Sequence, residues 1–274
     1  MAPVKISKFQ KTVWDYYKKN KRETLPWRKG ITPYKVYVSE IMLQQTQVDR
    51  VISFYKKWMK TFPTIKALAN APQSQVLALW KGLGYNSRAL RMKKTAEMVV
   101  KDFKGIFPKT YEDILLLPGI GPYTAGAISA FAYNQPIAMI ETNIRRVFIH
   151  ELFRGKEKVH DKEILELVEK IVDTKNPREW YWALMDYGSY LGKTIPNPNK
   201  KSRHYTKQSQ FKGSDREIRG KVLEVLLLKK SLSIERLEGA LKSLSEDKER
   251  MEMIISGLER EGFLVVNKGK ISLK

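Results

Sequence analysis

The chain has no cysteine, only three histidines, and 29 acidic residues against 51 basic ones. Without cysteine, a disulfide framework and any thiolate-held zinc or iron–sulfur site are excluded. His150, His160 and His204 are scattered and show no metal-ligand spacing. No apolar run approaches about 18 residues, so no membrane-spanning helix is expected. The N-terminal residues lack the apolar stretch of a secretory signal, and cytoplasmic residence is the expectation. The shortage of acids leaves a net charge of +22. That excess predicts attraction to a polyanion without separating DNA, RNA or a membrane surface.

What is present is mainly helical pattern. A chain of 274 residues, 42% hydrophobic, is long enough for two domains or one large one. Apolar residues recur at helical spacing over 6–19, where Ile6, Phe9, Val13, Trp14 and Tyr17 share a face. Further helices are expected at 37–46, 48–62, 65–70, 73–80, 86–103, 110–116, 122–133, 141–152, 161–173 and 177–190. Strand signals are scarce before residue 260, which predicts an all-α fold over residues 1–192. Residues 193–213 carry six Lys/Arg, two prolines and no acid, and read as a basic linker or loop. Over 214–274, helices are expected at 215–229, 233–244 and 247–261. Phe263–Val266 and Lys270–Leu273 then flank Asn267-Lys268-Gly269, a hairpin signal. Three helices and a hairpin predict a small winged-helix-like α+β domain.

One stretch combines turn and close-packing signals: Leu117-Pro118-Gly119-Ile120-Gly121-Pro122-Tyr123-Thr124-Ala125-Gly126-Ala127-Ile128. Pro118 and Gly119 stop one helix, Gly121 is expected to allow a tight turn, and Pro122 suits the first turn of the next helix. Small residues continue along that helix, so a neighbour can approach closely. N–H groups exposed at such a turn form an anion seat, and an ordinary helix–helix turn is the alternative. Two carboxylates also stand out. Glu40 lies among apolar residues on one helix face, where burial would raise its pKa and suit a general acid; a surface or capping role is the alternative. Glu141 follows Ile137-Ala138-Met139-Ile140 and precedes a helix, so it reads as an N-cap or as a second active-site carboxylate. One acid and one carboxylate stabilising a sugar cation form a pair suited to glycosidic cleavage.

These segments resemble a known family when taken in order. Leu25-Pro26-Trp27-Arg28, Pro33-Tyr34-Lys35-Val36, Ser39-Glu40-Ile41-Met42-Leu43-Gln44-Gln45-Thr46-Gln47-Val48, Trp80-Lys81-Gly82-Leu83-Gly84-Tyr85-Asn86-Ser87-Arg88-Ala89 and the 117–128 stretch look like a helix-hairpin-helix DNA glycosylase of the endonuclease III-like superfamily. Within it they are most similar to the MutY-type adenine DNA glycosylases, over roughly residues 6–190. The resemblance implies two helical subdomains with the substrate base between them, and base flipping from double-stranded DNA. It assigns Glu40 to protonation of the base and management of the water nucleophile, with Glu141 stabilising the oxocarbenium-like sugar. Tyr123 stands where bifunctional relatives carry a nucleophilic lysine, which implies a monofunctional hydrolase. Gln45, Thr46, Leu83 and Tyr85 match positions placed near the lesion and its opposite base. Arg28 is expected to bond the flipped base or a phosphate, or else to form a surface ion pair. Gly119, Ile120 and Gly121 would offer N–H groups to a phosphate, and their carbonyls could take a monovalent cation. The substrate implied first is adenine opposite 8-oxoguanine or guanine. Thymine or uracil opposite guanine is the alternative within the fold, and a non-catalytic DNA-binding protein the alternative of another class. Nucleoid association follows from the same reading.

The chain departs from that family in three places. The family places an aspartate where Glu141 stands, so the charge is displaced by roughly 1.5 Å, one C–C bond. Typical MutY relatives carry four cluster-binding cysteines after about residue 190; here Lys200, Lys201 and Arg203 are expected to grip phosphates instead, with no iron–sulfur cofactor. The segment 214–274 differs from the family's Nudix-like domain and is expected to bind DNA or a protein.

Overall fold

A computed structural model describes residues 3–245 and 247–274. Fourteen α-helices and one three-stranded sheet occur among them. The chain groups into two compact units. The first joins the residues up to Glu40 with Phe107–Lys207; the second joins Ile41–Ile106 with Gln208–Lys274.

The first unit contains α1 (Pro3–Asn20) and most of α2 (Pro33–Leu43), the latter starting on a proline whose missing N–H costs nothing at that position. The second holds α3 (Val48–Thr61), α4 (Ile65–Asn70), α5 (Gln73–Trp80) and α6 (Ser87–Asp102). The chain then returns to the first unit with α7 (Tyr111–Leu115), α8 (Pro122–Tyr133), α9 (Thr142–Leu152), α10 (Asp161–Ile171) and α11 (Pro177–Thr194). There α11 packs along α9 and α1. Phe9 meets Phe148 edge-on at 5.0 Å and Trp180 at 6.1 Å, which places an aromatic core between the three helices. A short 3-10 turn at Pro198–Lys201 rests on α9. In the second unit α4 and α5 pack on α6, and Trp58 meets Trp80 at 5.7 Å.

The C-terminal module runs α12 (Asp215–Lys229), β1 (Ser231–Ser233), α13 (Ile234–Leu241), α14 (Lys248–Arg260), β2 (Leu264–Asn267) and β3 (Lys270–Leu273). The sheet order is β1-β3-β2, both pairs antiparallel, with Leu232 and Val266 each opposite Ile271. Helix–strand–helix–helix–hairpin is the winged-helix arrangement. Strand β1 was not expected: Ser-Leu-Ser is too short and polar to signal a strand, and it forms only because β3 supplies its partner.

Two other expectations are corrected. The second helix was expected over 37–46 but spans Pro33–Leu43, which leaves Gln45 and Thr46 in the following turn. Arg88 takes the freed carbonyls there. Its Nη1 donates to Ile41 O at 2.8 Å and to Gln44 O at 2.6 Å, a cation closing a helix C-terminus. In the 117–128 turn, Gly119 has the left-handed backbone, φ 75°, expected of the glycine that stops the helix, whereas Gly121, expected to allow the tight turn, has φ −100°. Gly121 instead occupies the extended N-cap position before Pro122. The small-residue face of α8 does meet a close neighbour: a Cβ on Gly126 would lie 3.1 Å from the Met139 Cβ.

Candidate active site

Three of the expected residues meet inside the first unit. Glu40 is buried on α2, 6% exposed, among Val36, Tyr37 and Ile41. The Tyr123 hydroxyl, one residue into α8, donates to Glu40 Oε2 at 2.7 Å. Glu141 is the N-cap of α9, accepting at Oε1 from the N–H of Asn143 at 2.6 Å and of Ile144 at 2.8 Å. Met139, two residues before Glu141, packs on the small face of the helix that carries Tyr123.

The electrostatics separate the two carboxylates. Burial raises the Glu40 carboxyl to about 7; the Tyr123 hydrogen bond pulls it down, and the Glu141 charge pushes it further up. Burial also raises Glu141, but two backbone N–H donors and the Arg146 and Arg145 charges favour its ionised form. The Tyr123 phenol is pushed well above its ordinary value by burial and by both carboxylates, so it stays a donor. Near neutral pH a substantial share of Glu40 thus carries its proton, while the donors to Glu141 act against the upward push of burial on it. Tyr123 occupies Oε2, which leaves Oε1 to carry the transferable proton.

Arg28 is differently employed. Its Nη1 and Nη2 both donate to Asp186, at 2.8 and 2.7 Å, and its guanidinium lies 5.0 Å from the Trp182 ring. Arg22 bonds the same carboxylate at 2.6 Å. Burial acts to raise the Asp186 carboxyl, but the two arginines outweigh it and hold it below its ordinary value. Arg28 therefore sits in a buried ion pair rather than on the surface, and its fork is taken. Asp186 gave no sequence signal, because its partners lie more than a hundred and fifty residues away.

Gln45, Thr46, Leu83 and Tyr85 come together in the second unit. Leu83 is buried, 6% exposed. Arg88 links both turns: besides the α2 carbonyls, its Nη2 donates to Leu83 O at 3.2 Å and Gly84 O at 3.0 Å. Desolvation lowers the Arg88 guanidinium to about 10. Gln45 and Tyr85 adopt left-handed backbone, φ 53° and 48°, uncommon for residues with a side chain.

At the 117–128 turn, Ile120 is buried and its N–H donates to Leu117 O at 3.1 Å. Among the hydrogen bonds of the described residues, the N–H groups of Gly119 and Gly121 have no partner within the chain. Lys200 and Arg203 are exposed, while Lys201 pairs with Glu157 at 2.9 Å. The loop is fixed by a bridge between Val159 and Ser202 and by Asn199 Nδ2, which donates to Thr142 O at 3.0 Å. With no cysteine anywhere in the chain, this segment does not fit an iron–sulfur cluster.

The family model described as HhH-GPD superfamily base excision DNA repair protein matches residues 38–174, a span that contains Glu40, Tyr123 and Glu141. The chain belongs to that superfamily. It is 41% identical over 184 residues to an adenine DNA glycosylase of Buchnera aphidicola subsp. Baizongia pistaciae, covering 67% of this chain and 52% of the relative. It is 33% identical over 224 residues to the adenine DNA glycosylase of Mycolicibacterium smegmatis, covering 75% and 76%. The chain spans about half the length of the first of these. Among solved structures, a thermostable thymine-DNA glycosylase aligns with a TM-score of 0.64 and 27% identity, over 72% of this chain and 92% of the other. No helix among the described residues of this HhH-GPD protein is long and apolar enough to cross a membrane.

Proposed function

We propose that this HhH-GPD protein is a monofunctional DNA glycosylase that flips a mispaired base out of duplex DNA and removes it by hydrolysis, adenine opposite 8-oxoguanine or guanine being the substrate. The observation that carries the reading is the buried Glu40 carboxyl, raised to about 7 and bonded by Tyr123, with Glu141 beside it. Relatives named adenine DNA glycosylase support the choice of base.

Glu40 protonates the departing base, so that it leaves neutral rather than as an anion. Positive charge builds on the sugar as the bond breaks, and the Glu141 carboxylate, anchored by two N–H donors, stabilises it. The base leaves with the electrons of the glycosidic bond, and a water oxygen forms the new bond to the sugar carbon as its proton passes to the Glu40 carboxylate. Tyr123 holds Glu40 and carries no amine, so no Schiff base forms with the sugar. The unpartnered N–H groups of Gly119 and Gly121 and the exposed Lys200 and Arg203 would take backbone phosphates. The hairpin's carbonyl oxygens would be the donors to a monovalent cation.

The test is a panel of duplexes carrying A:8-oxoG, A:G, T:G and U:G, treated with alkali to reveal abasic sites, beside Glu40→Gln. Excision of adenine that Glu40→Gln abolishes is expected. Excision of thymine or uracil alone would move the protein toward its thymine-DNA glycosylase neighbour. Processing of none of the duplexes would leave a DNA-binding protein, and strand scission without alkali would overturn the role given to Tyr123.

A further inference from the structure

The first unit carries an aromatic cluster that the chemistry at Glu40 does not use. The Tyr16 ring, on α1, lies 5.1 Å from the rings of Tyr187 and Tyr190 on α11, and those two stack on each other at 6.5 Å and 18°. The three phenols differ in exposure. Tyr187 is buried and its hydroxyl donates to Glu151 Oε1 at 2.5 Å, so it forms a fixed floor. Tyr190 is 46% exposed. Among the described residues, Tyr16 and Tyr190 join side-chain hydrogen bonds only through their backbone carbonyls, which leaves both hydroxyls open.

Cations accompany this stack. On α1, Lys5, Lys8, Thr12, Tyr16 and Lys19 recur at three- and four-residue spacing and so share a face, about 21 Å long at 1.5 Å per residue. The three lysines are exposed, as is Lys193, one turn beyond Tyr190 on α11. Among the described residues none of these four forms an ion pair. The acids nearby are engaged. Asp15, the one acid of α1, is held by Lys11 at 2.6 Å. The carboxylates whose charge acts on the Tyr16 and Tyr187 phenols are Asp186 and Glu151. Arg22 and Arg28 neutralise the first, and the second accepts from Tyr187. The face therefore offers unneutralised positive charge beside an open aromatic ring. Lysines alone would take any phosphate backbone. The ring adds to that only where bases are not already stacked inside a duplex, and it serves every base alike. An acidic protein segment would satisfy the lysines without calling for the ring.

We propose that Tyr190, stacked on Tyr16 and Tyr187 and accompanied by Lys19 and Lys193, is a platform for an unpaired DNA strand. It shares no residue with the site at Glu40, Tyr123 and Glu141, and it does not depend on the glycosylase reading. A base lies on the open face of Tyr190, lysines of the α1 face and Lys193 neutralise the phosphates, and the free phenol hydroxyls donate to phosphate or base oxygens. The protein is thereby retained where duplex gives way to a single strand.

The experiment uses the full chain and two labelled probes, an oligothymidylate and a fully paired duplex of equal length, with affinity read by fluorescence anisotropy. Tyr190→Leu keeps an apolar side chain and removes the aromatic face; Tyr190→Phe keeps the face. The leucine variant is expected to bind the oligothymidylate roughly tenfold more weakly than the parent and the duplex equally well, and the phenylalanine variant to retain most of the single-strand affinity. Lys8→Gln with Lys19→Gln should lower the logarithmic salt slope for the single strand by about 0.7 for each phosphate no longer neutralised. A direct readout is ultraviolet crosslinking of an oligothymidylate that carries one iodouracil, expected at the peptide of Tyr190 or Tyr16. Unchanged single-strand binding by Tyr190→Leu, an equal loss on both probes, or crosslinks confined to other peptides would overturn the platform. Base excision from duplex by Tyr190→Leu should match that of the parent. A parent that excises no base but loses single-strand affinity on Tyr190→Leu would sink the glycosylase reading alone.

Discussion

The Tyr123 hydroxyl donates to Glu40 Oε2 at 2.7 Å, joining the proposed general acid directly to the residue that the family resemblance sets in place of an amine nucleophile. Tyr123→Phe removes a bond that favours the ionised carboxylate. The Glu40 pKa should therefore rise, and the high-pH limb of the single-turnover rate should move upward by up to about one unit. A limb that does not move would separate Tyr123 from the acid's titration. Tyr123→Lys places an amine at the same point, and borohydride trapping of a covalent DNA adduct is expected with it alone.

Glu40 also couples activity to stability. Its carboxyl is raised from 4.5 to about 7 in the folded state. Below the lower value both folded and unfolded chains hold the proton, and nothing is lost. Between the two values the folded chain binds a proton that the unfolded chain has released, so stability falls as pH rises; above about 7 the cost is complete, about 3 kcal/mol. Urea denaturation should show Glu40→Gln more stable than the parent at pH 8 and equal to it at pH 4. Excision by the parent should fall about tenfold per pH unit above 7 as the acid is lost.

Glu141 serves as both cap and charge, and substitutions separate these roles. Glu141→Ala should cost about 1 kcal/mol through the lost cap, read by thermal unfolding. Glu141→Asp keeps a good capping residue and shortens the reach by one methylene, so stability should hold while the rate changes by up to about a hundredfold. Equal rates for Glu141→Asp and the parent would show that the carboxylate's position is not critical.

The Arg22–Asp186–Arg28 group is a structural anchor of the first unit. Asp186→Asn leaves two guanidiniums without their charge partner, and a loss of about 3–5 kcal/mol is expected in chemical denaturation. Arg28→Met, which removes the charge but keeps apolar contact with Trp182, should be milder.

Reversing Lys200, Lys201 and Arg203 to glutamate should weaken duplex binding and flatten its dependence on salt, the logarithmic slope falling by about 0.9 for each phosphate that is no longer neutralised. Lys201 should contribute least, because Glu157 already holds it. Unchanged binding would remove this loop from the DNA interface.

The buried acid, the hairpin and the helix cap of the first unit were legible in the sequence because each is written locally. Glu40 stands out as an acid on an apolar helix face, and Pro118, Gly119 and Pro122 punctuate the hairpin. Glu141 precedes a helix, where a carboxylate caps. What sequence reading missed depends on distant partners. Arg216 meets Tyr85 across 131 residues, and Asp186 meets Arg28 across 158. Neither spacing leaves a local pattern. Arg88 lies within a recognised motif, yet its role as the tie between two turns depends on carbonyls, which any residue supplies.

Gly188 on α11 faces the backbone of α9 so closely that a Cβ there would lie 2.6 Å from the Asn143 Cβ and nearer still to its carbonyl oxygen. Main chain, not side chain, thus sets the height at which Glu141 stands. Repacking of neighbours cannot raise or lower it without prising the two helices apart. The remaining freedom is the length of the acid itself, and a lineage adjusting where that charge stands has only aspartate or glutamate to choose between.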